Sequence, residues 1–177
     1  MNDLGRLSPE EFKATPKLPL ILILDNIRSM HNVGSVFRTA DAFLCEAILL
    51  CGYSPQPPHR DIHKTALGAT ETVQWNYFKD TLEAVRHVRE KDYTVYAVEQ
   101  VTDSLNVQDI ATIKEAGSVT GLALVLGNEV QGVDQKVIDK CDGCLEIPQY
   151  GTKHSLNISV AAGIVTWEAS KYLRNYK

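Results

Sequence analysis

Residues 147–162 read IPQYGTKHSLNISVAA, and this stretch joins the end of an apolar strand to a helix of small residues through a polar loop. An ordinary strand-to-helix connection needs only a turn residue and an N-cap. This loop instead holds a Gly, a Lys, a His, two Ser and an Asn. A loop with so many polar side chains is predicted to bind a ligand.

Two other loops carry the same polar excess. One holds Asn32-Val33-Gly34-Ser35, with Arg38 a turn later, and the other holds Gly127-Asn128-Glu129. All three loops follow apolar runs, which end at Leu24, Leu126 and Ile147. Ligands of open α/β sheets bind beyond the carboxyl ends of the strands. The three loops are therefore predicted to meet at one edge of a sheet and to form one site.

Apolar periodicity predicts strands that alternate with helices along the chain. Unbroken runs such as Leu20–Leu24 are typical of strands covered on both faces. The predicted strands are 20–24, 46–51, 72–77, 94–98, 122–126 and 144–147. The predicted helices begin at a Ser8 capping box and then cover 33–43, 61–67, 80–91, 107–116, 134–141 and 155–172. This alternation indicates an α/β fold with a mainly parallel sheet flanked by helices.

The composition is that of one globular domain without an obvious polyanion-binding field. The chain has 177 residues and a net charge of −4, so any nucleic-acid contact needs a local basic patch. Candidates for such a patch are Arg28, His31, Arg38, His59, Arg60, His63, Lys64, Lys153 and His154. From charge alone, ordinary surface cations are the favoured explanation of these residues.

The N-terminal residues contain no apolar signal region, and no apolar run approaches the ~20 residues of a membrane span. We therefore expect a cytoplasmic protein that has no membrane partner and no disulfide bonds. Cys141 and Cys144 form a CxxC, but Cys45 and Cys51 have the wrong spacing to complete a zinc ribbon. We expect no metal.

Each polar loop residue also has a purely structural explanation. Asn32 would cap a helix that starts at Val33, Ser155 would cap the last helix, and Glu129 would pair with a surface lysine. Gly127 has no side chain and would let a flat ligand approach its backbone, while Arg38 suits a phosphate or carboxylate. A Gly-x-Gly-x-x-Gly loop and a Walker A loop are both absent from the sequence, which disfavours a Rossmann dinucleotide site and NTP hydrolysis.

The three loops together resemble the three motifs of the SpoU/TrmH family of RNA 2′-O-ribose methyltransferases, in the SPOUT superfamily. The matching segments are Asn32–Ala40, Leu124–Gly132 and Ile147–Ala161. The resemblance covers about residues 20–173, so we expect a short extension at 1–17 and a single SPOUT domain at 18–177. With no separate N-terminal RNA-binding domain expected, substrate choice would depend on the core, the dimer surface and the basic loop His59–Lys64.

The resemblance implies several properties that periodicity cannot provide. The family fold ties a deep trefoil knot in the C-terminal part of the sheet, and family members are homodimers to which the first and last helices contribute. S-adenosylmethionine is the family's cofactor, and the implied cofactor-binding residues are Glu99, Gln100, Gly127, Ile147 and Leu156. The implied catalytic residue is Arg38, with Asn32, Glu129, Ser155 and Asn157 as companions.

Two residues depart from the family pattern. Leu44 stands where Gly is common, and Gln149 stands where Met is common, so both affect local loop shape. The implied activity is methylation of a ribose 2′-hydroxyl in tRNA or rRNA. Two alternatives stay open: a catalytically idle RNA-binding dimer, and a SPOUT enzyme that methylates a base.

Overall fold

The computed structural model of the chain describes residues 7–116, 120–152 and 155–174. Lys153 and His154 of the third polar loop therefore lie outside the described residues. None of the helices within the described ranges has the length and apolar content needed to cross a membrane.

Seven strands form one sheet in which every pair is parallel. In chain order they are β1 (Leu18–Asp25), β2 (Cys45–Cys51), β3 (Gln74–Phe78), β4 (Tyr93–Val98), β5 (Leu105–Asn106), β6 (Gly121–Leu126) and β7 (Gly143–Glu146). Their order across the sheet is β3-β2-β1-β6-β4-β7-β5. The predicted α/β fold with a mainly parallel sheet is confirmed, while the knot stays a prediction.

Helices cover both faces of this sheet. They are α1 (Pro9–Ala14), α2 (Met30–Ala42), α3 (Arg60–Ala66), α4 (Ala69–Thr72), α5 (Thr81–Arg89), a 3-10 helix (Val107–Ala116), α6 (Gln135–Ile138) and α7 (Ile158–Arg174). The Ser8 capping box at α1 forms as predicted, and the helix predicted from residue 80 has Asp80 as its N-cap.

Two hydrophobic cores lie on opposite faces of the sheet, and β1 supplies both. Leu22 and Leu24 pack into the core beneath α2 and α7, where Phe37 is fully buried. Ile21 and Ile23 point the other way, into the core beneath α5. Because successive strand residues face opposite sides, an unbroken apolar run was the correct signal for a doubly covered strand.

Several element predictions need correction, including that of the last helix, which begins at Ile158 and not at residue 155. Residues 69–72 form a helical turn, so the predicted strand at 72–77 actually begins at Gln74. The two-residue strand β5 was missed because it is too short to show a period. The helix predicted from Val33 begins at Met30, because the Ser29 side chain accepts from the Asn32 N–H at 3.2 Å and caps it there.

Leu44 sits in the left-handed region, with φ +57°. This conformation costs a side-chain-bearing residue roughly 1–2 kcal/mol and costs glycine almost nothing. The backbone at this position therefore has the shape that a glycine would favour, although the chain carries leucine. The side chain packs against the α2 core, which offsets part of that strain.

Gly34 is the contact point between α2 and α3, and its replacement by Ala should destabilise the fold. A Cβ there would lie 2.1 Å from Thr65 Oγ1 and 2.3 Å from the Ile62 carbonyl oxygen. Overpacking of this kind costs typically 1–3 kcal/mol. Urea unfolding should show a lower midpoint for Gly34→Ala. The matched control is Gly151→Ala, where no described atom beyond the adjacent residues lies within 4 Å of the added carbon. Equal midpoints for Gly34→Ala and the unmodified protein would contradict this packing.

Candidate functional site

The three polar loops meet through a line of side-chain hydrogen bonds at the carboxyl edge of the sheet. The first predicted polar loop is the first turn of α2, where Asn32 Nδ2 donates to Glu129 Oε1 at 2.8 Å and so joins this motif to the second loop. Asn157 Nδ2 donates to Asn32 Oδ1 at 3.3 Å, which joins the third loop to the first. Residues 97 and 125 positions apart in the chain are thus brought together, as the strand-end argument predicted.

Ser159 orients this line from its far end. Its backbone N–H and its hydroxyl both donate to Asn157 Oδ1, at 2.8 and 2.6 Å. With its oxygen held in this way, Asn157 presents its amide hydrogens to Asn32. Asn32 accepts with its oxygen and so presents its own amide hydrogens to Glu129. The carboxylate of Glu129 is thereby held by a chain of oriented amides.

These contacts overturn the structural explanations considered for the polar loops. Ser29, not Asn32, caps α2, so the Asn32 side chain is available to Glu129. Ser155 lies outside α7, which begins at Ile158, and the capping acceptor is Asn157 Oδ1. Glu129 is bonded to Asn32 and forms no ion pair with a described lysine.

A cavity of about 320 Å³ opens beside this line of hydrogen bonds. Seven of the ten predicted site residues line it, namely Glu99, Gln100, Gly127, Glu129, Ile147, Ser155 and Leu156. Its wall also includes Val98, Leu126 and Leu145 at the ends of β4, β6 and β7. The cavity therefore joins apolar strand ends to a polar rim from the second and third loops.

Glu99 and Gly127 hold the floor of the cavity in place. Glu99 Oε2 accepts from the Val133 N–H at 3.0 Å, which ties the loop after β4 to the loop after β6. Gly127 lies against the same segment, where an added Cβ would be 2.3 Å from the Gly132 carbonyl carbon and the Val133 nitrogen. Two backbone segments are thus in direct contact at Gly127, and only a glycine fits between them.

Arg38 lies apart from this cavity. It is exposed and borders a second cavity, of about 490 Å³, together with Lys64, Ser159 and Gly163. Arg38 forms no ion pair with any described residue. Within one chain the structure brings Asn32, Glu129 and Asn157 together but leaves Arg38 in the neighbouring cavity, where Ser159 is the link between the two.

Residues 19–167 match the SpoU rRNA Methylase family. The chain belongs to this family. A 23S rRNA (guanosine-2′-O-)-methyltransferase RlmB from Vibrio vulnificus is 34% identical over 151 residues, 85% of this chain and 58% of that protein. The RlmB of Neisseria meningitidis serogroup B is 33% identical over 161 residues, 90% of this chain and 62% of that protein. The chain thus spans less than two thirds of the length of these relatives.

Solved structures of the SpoU family share the fold. An rRNA methyltransferase from Sinorhizobium meliloti, solved with AdoMet bound, superposes with a TM-score of 0.79 at 26% identity, over 95% of this chain and 62% of its own. The A. aeolicus TrmH/SpoU tRNA modifying enzyme superposes with a TM-score of 0.80 at 23% identity, over 95% of this chain and 83% of its own.

Two residues of the SpoU motifs were missed as parts of the site. Ser159 orients Asn157, and its position two residues after an asparagine able to cap a helix was the available signal. Asn128 accepts from the N–H groups of Val130 and Gln131 at 2.8 and 3.2 Å, so it shapes the turn that presents Glu129. An asparagine shortly after a strand is a typical turn former, and the Gly127-Asn128 pair after β6 was the signal for this role.

The four cysteines lie outside the SpoU motifs and are chemically quiet. Burial raises the pKa of the thiols of Cys45, Cys51 and Cys141 to about 12 and also raises the pKa of Cys144. At neutral pH these groups are thiols, and the thiolate is the nucleophile and metal ligand. Within the described part of the chain, no three His, Cys, Asp or Glu side chains are grouped so as to hold a metal ion.

Proposed function

We propose that this chain transfers a methyl group from S-adenosylmethionine to the 2′-hydroxyl of a ribose in tRNA or rRNA. The observation that carries the proposal is the hydrogen-bonded line from Glu129 through Asn32 to Asn157. It assembles polar groups from all three SpoU motifs beside a cavity. The relatives named for ribose methylation and the AdoMet-bound neighbour support the same activity.

The cavity of about 320 Å³ fits the cofactor by its chemistry. Leu156 and Ile147 offer apolar contact for the adenine ring, and Glu99 and Gln100 offer polar contact for the ribose and amino-acid groups. Gly127 leaves its backbone open for close approach. When bound, S-adenosylmethionine supplies a methyl group on a positively charged sulfur. We propose Glu99, Gln100, Gly127, Ile147 and Leu156 as the cofactor-binding residues.

The line of amides gives Glu129 a fixed position at the rim of the cavity. A ribose hydroxyl that accepts a methyl group must lose its proton as the new carbon–oxygen bond forms. We propose that Glu129, with Asn32 and Asn157, orients this hydroxyl and favours the loss of its proton. Ser155 is exposed at the same rim and contributes a further hydroxyl contact to the RNA.

Arg38 is proposed to bind the phosphate next to the target ribose from the second cavity. Arginine stays protonated in proteins and is therefore a very poor base. Its guanidinium instead binds a phosphate with two parallel hydrogen bonds. A positive charge beside the ribose also lowers the pKa of the hydroxyl, so that the proton leaves late in methyl transfer.

A homodimer is proposed on the basis of the exposed apolar face of α7. Val160 precedes Gly163 by one helical turn and Trp167 follows it by one turn, and the two side chains are 51% and 52% exposed. Trp167 also contacts Phe43 at the end of α2, with ring centroids 5.9 Å apart. Exposed apolar groups of this size are typical of protein interfaces. A dimer through α2 and α7 brings the Arg38 cavity of one chain beside its partner. We propose that this dimer acts in the cytoplasm.

The test is methyl transfer from labelled cofactor to total tRNA and rRNA, followed by digestion to nucleosides. Label in a ribose-methylated nucleoside is the expected result. Label in a base would indicate a base-methylating enzyme, and binding of RNA without transfer would indicate an idle dimer.

Glu129→Gln should lower kcat in this assay by about 100-fold, because the amide keeps the size of the side chain but removes the charge that favours proton loss. Its affinity for S-adenosylhomocysteine should change little. Glu90→Gln, an exposed carboxylate at the end of α5, is the matched control and should keep the normal rate. A fully active Glu129→Gln variant would exclude a role for this carboxylate.

A further inference from the structure

Tyr53 combines an exposed ring with a fixed backbone. It lies two residues after the end of β2, and its side chain is 78% exposed. Its N–H donates to Asn26 Oδ1 at 3.1 Å, and the next residue, Ser54, is buried and donates to the Leu24 carbonyl at 3.0 Å. Exposed aromatic rings stack with unpaired nucleic-acid bases, and the hydrogen-bonded backbone reduces the backbone entropy that stacking would cost here.

A third cavity, of about 280 Å³, lies under this ring. Its polar lining includes Lys79, Asp80, Asp134 and Lys136. Asp80 Oδ1 accepts from the Leu82 N–H at 2.8 Å, and Asp134 Oδ1 accepts from the Lys136 N–H at 2.9 Å. The second oxygen of each carboxylate has no hydrogen-bond donor among the described residues, so both remain available to a ligand.

This set of groups matches the edge of an amino-bearing base better than a phosphate. Two lysines cannot outweigh the carboxylates Asp25, Asp80 and Asp134 that line the same cavity, so phosphate is disfavoured. Carboxylate oxygens accept from the exocyclic amino groups of bases. The lysine ammonium groups can donate to the ring nitrogen or carbonyl beside that amino group. Uracil has no amino group and fits least well.

The third cavity shares a wall with the proposed methyl-transfer cavity. Asn128 lines the methyl-transfer cavity, Asn26 lines the third one, and Asn128 Nδ2 donates to the Asn26 carbonyl at 2.8 Å. Both cavities open at the carboxyl edge of the same parallel sheet. A single RNA strand that enters one therefore passes close to the other.

We propose that Tyr53 and the cavity beneath it form a subsite for an unpaired RNA base that carries an exocyclic amino group, near the methylated nucleotide. The proposal rests on the proposed function, because it supplies a second contact for the same RNA. The ring stacks on the base, and Asp80 and Asp134 accept from its amino group.

The direct test uses labelled oligocytidylate that contains 5-iodocytidine, with oligouridylate for comparison. Irradiation should cross-link the iodinated base to Tyr53, as identified by peptide mapping. Tyr53→Ala should weaken oligocytidylate binding about tenfold, because a stacked base is lost, while Tyr53→Phe keeps the ring and should bind normally. Equal binding by Tyr53→Ala and unmodified protein, or cross-linking only elsewhere, would overturn the subsite.

A second variant tests whether the subsite recognises the exocyclic amino group of the base. Asp80→Asn keeps a side chain that caps α5 but replaces the accepting carboxylate, so it should weaken oligocytidylate several-fold and leave oligouridylate unchanged. Asp92→Asn, at the opposite edge of the sheet, is the control with the same change of charge. Equal weakening for both oligonucleotides would overturn recognition of the amino group. If cross-linking succeeds while the unmodified protein transfers no methyl group to RNA, the proposed function fails and the subsite stands.

Discussion

Replacing Gly127 by Ala should greatly weaken cofactor binding and destabilise the fold. The new Cβ would lie 2.3 Å from two backbone atoms, the Gly132 carbonyl carbon and the Val133 nitrogen. A clash with backbone cannot be relieved by a side-chain rotation, so one of the two segments must move. The segment that moves takes with it the hydrogen bond from Val133 to Glu99. Both Gly127 and Glu99 line the proposed cofactor cavity.

The expected sizes of these effects follow from overpacking. A forced backbone shift costs typically 1–3 kcal/mol of folding free energy, which urea unfolding can measure. Calorimetric titration with S-adenosylhomocysteine should show affinity lowered by at least about 100-fold, since a shift of about 1 Å removes positioned contacts. Gly151→Ala in the third motif adds the same methyl group in open space. Normal cofactor binding by Gly127→Ala would show that the cofactor does not contact the Gly127 backbone in this cavity.

The sequence predicted well those features that depend on neighbouring residues. The Ser8 capping box and the Asp80 cap form because side chain and backbone partner lie two or three residues apart. The strands were recognisable because burial on both faces demands apolar residues at every position. The gathering of the three loops at one edge followed from the parallel sheet alone.

Other features depended on contacts between distant residues. Ser29 and Asn32 are both good helix caps, and local chemistry could not decide between them. The choice of Ser29 leaves Asn32 to bind Glu129, a partner 97 residues away. Nothing along the chain gives the strand order across the sheet either. Once Asn32 binds Glu129, the separation of Arg38 follows from helix geometry, because Arg38 lies on the same helix α2, about 9 Å further along its axis.

Replacing Arg38 by Ala should abolish turnover while leaving cofactor binding nearly intact. The side chain lies outside the proposed cofactor cavity and is exposed, so its loss should disturb neither that cavity nor the core. A positioned cationic donor lost at a reacting group typically lowers kcat by about 100- to 1,000-fold. Arg38→Lys should recover only part of the rate, because an ammonium group cannot bind phosphate with two parallel hydrogen bonds. Arg86→Ala on α5 is the exposed control.

The same variant distinguishes where Arg38 acts. If the proposed dimer places Arg38 of one chain against the cavity of its partner, mixing Arg38→Ala with Asn157→Ala restores activity, because one site in the mixed dimer is then complete. If Arg38 serves the cavity of its own chain, the mixed dimer gains nothing, because each chain then has one defective residue in its own site. Single-turnover methyl transfer by the mixed and unmixed variants measures this difference. Full activity of Arg38→Ala alone would exclude a role for this arginine in methyl transfer. No other described group in the second cavity could replace both its charge and its planar pair of donors.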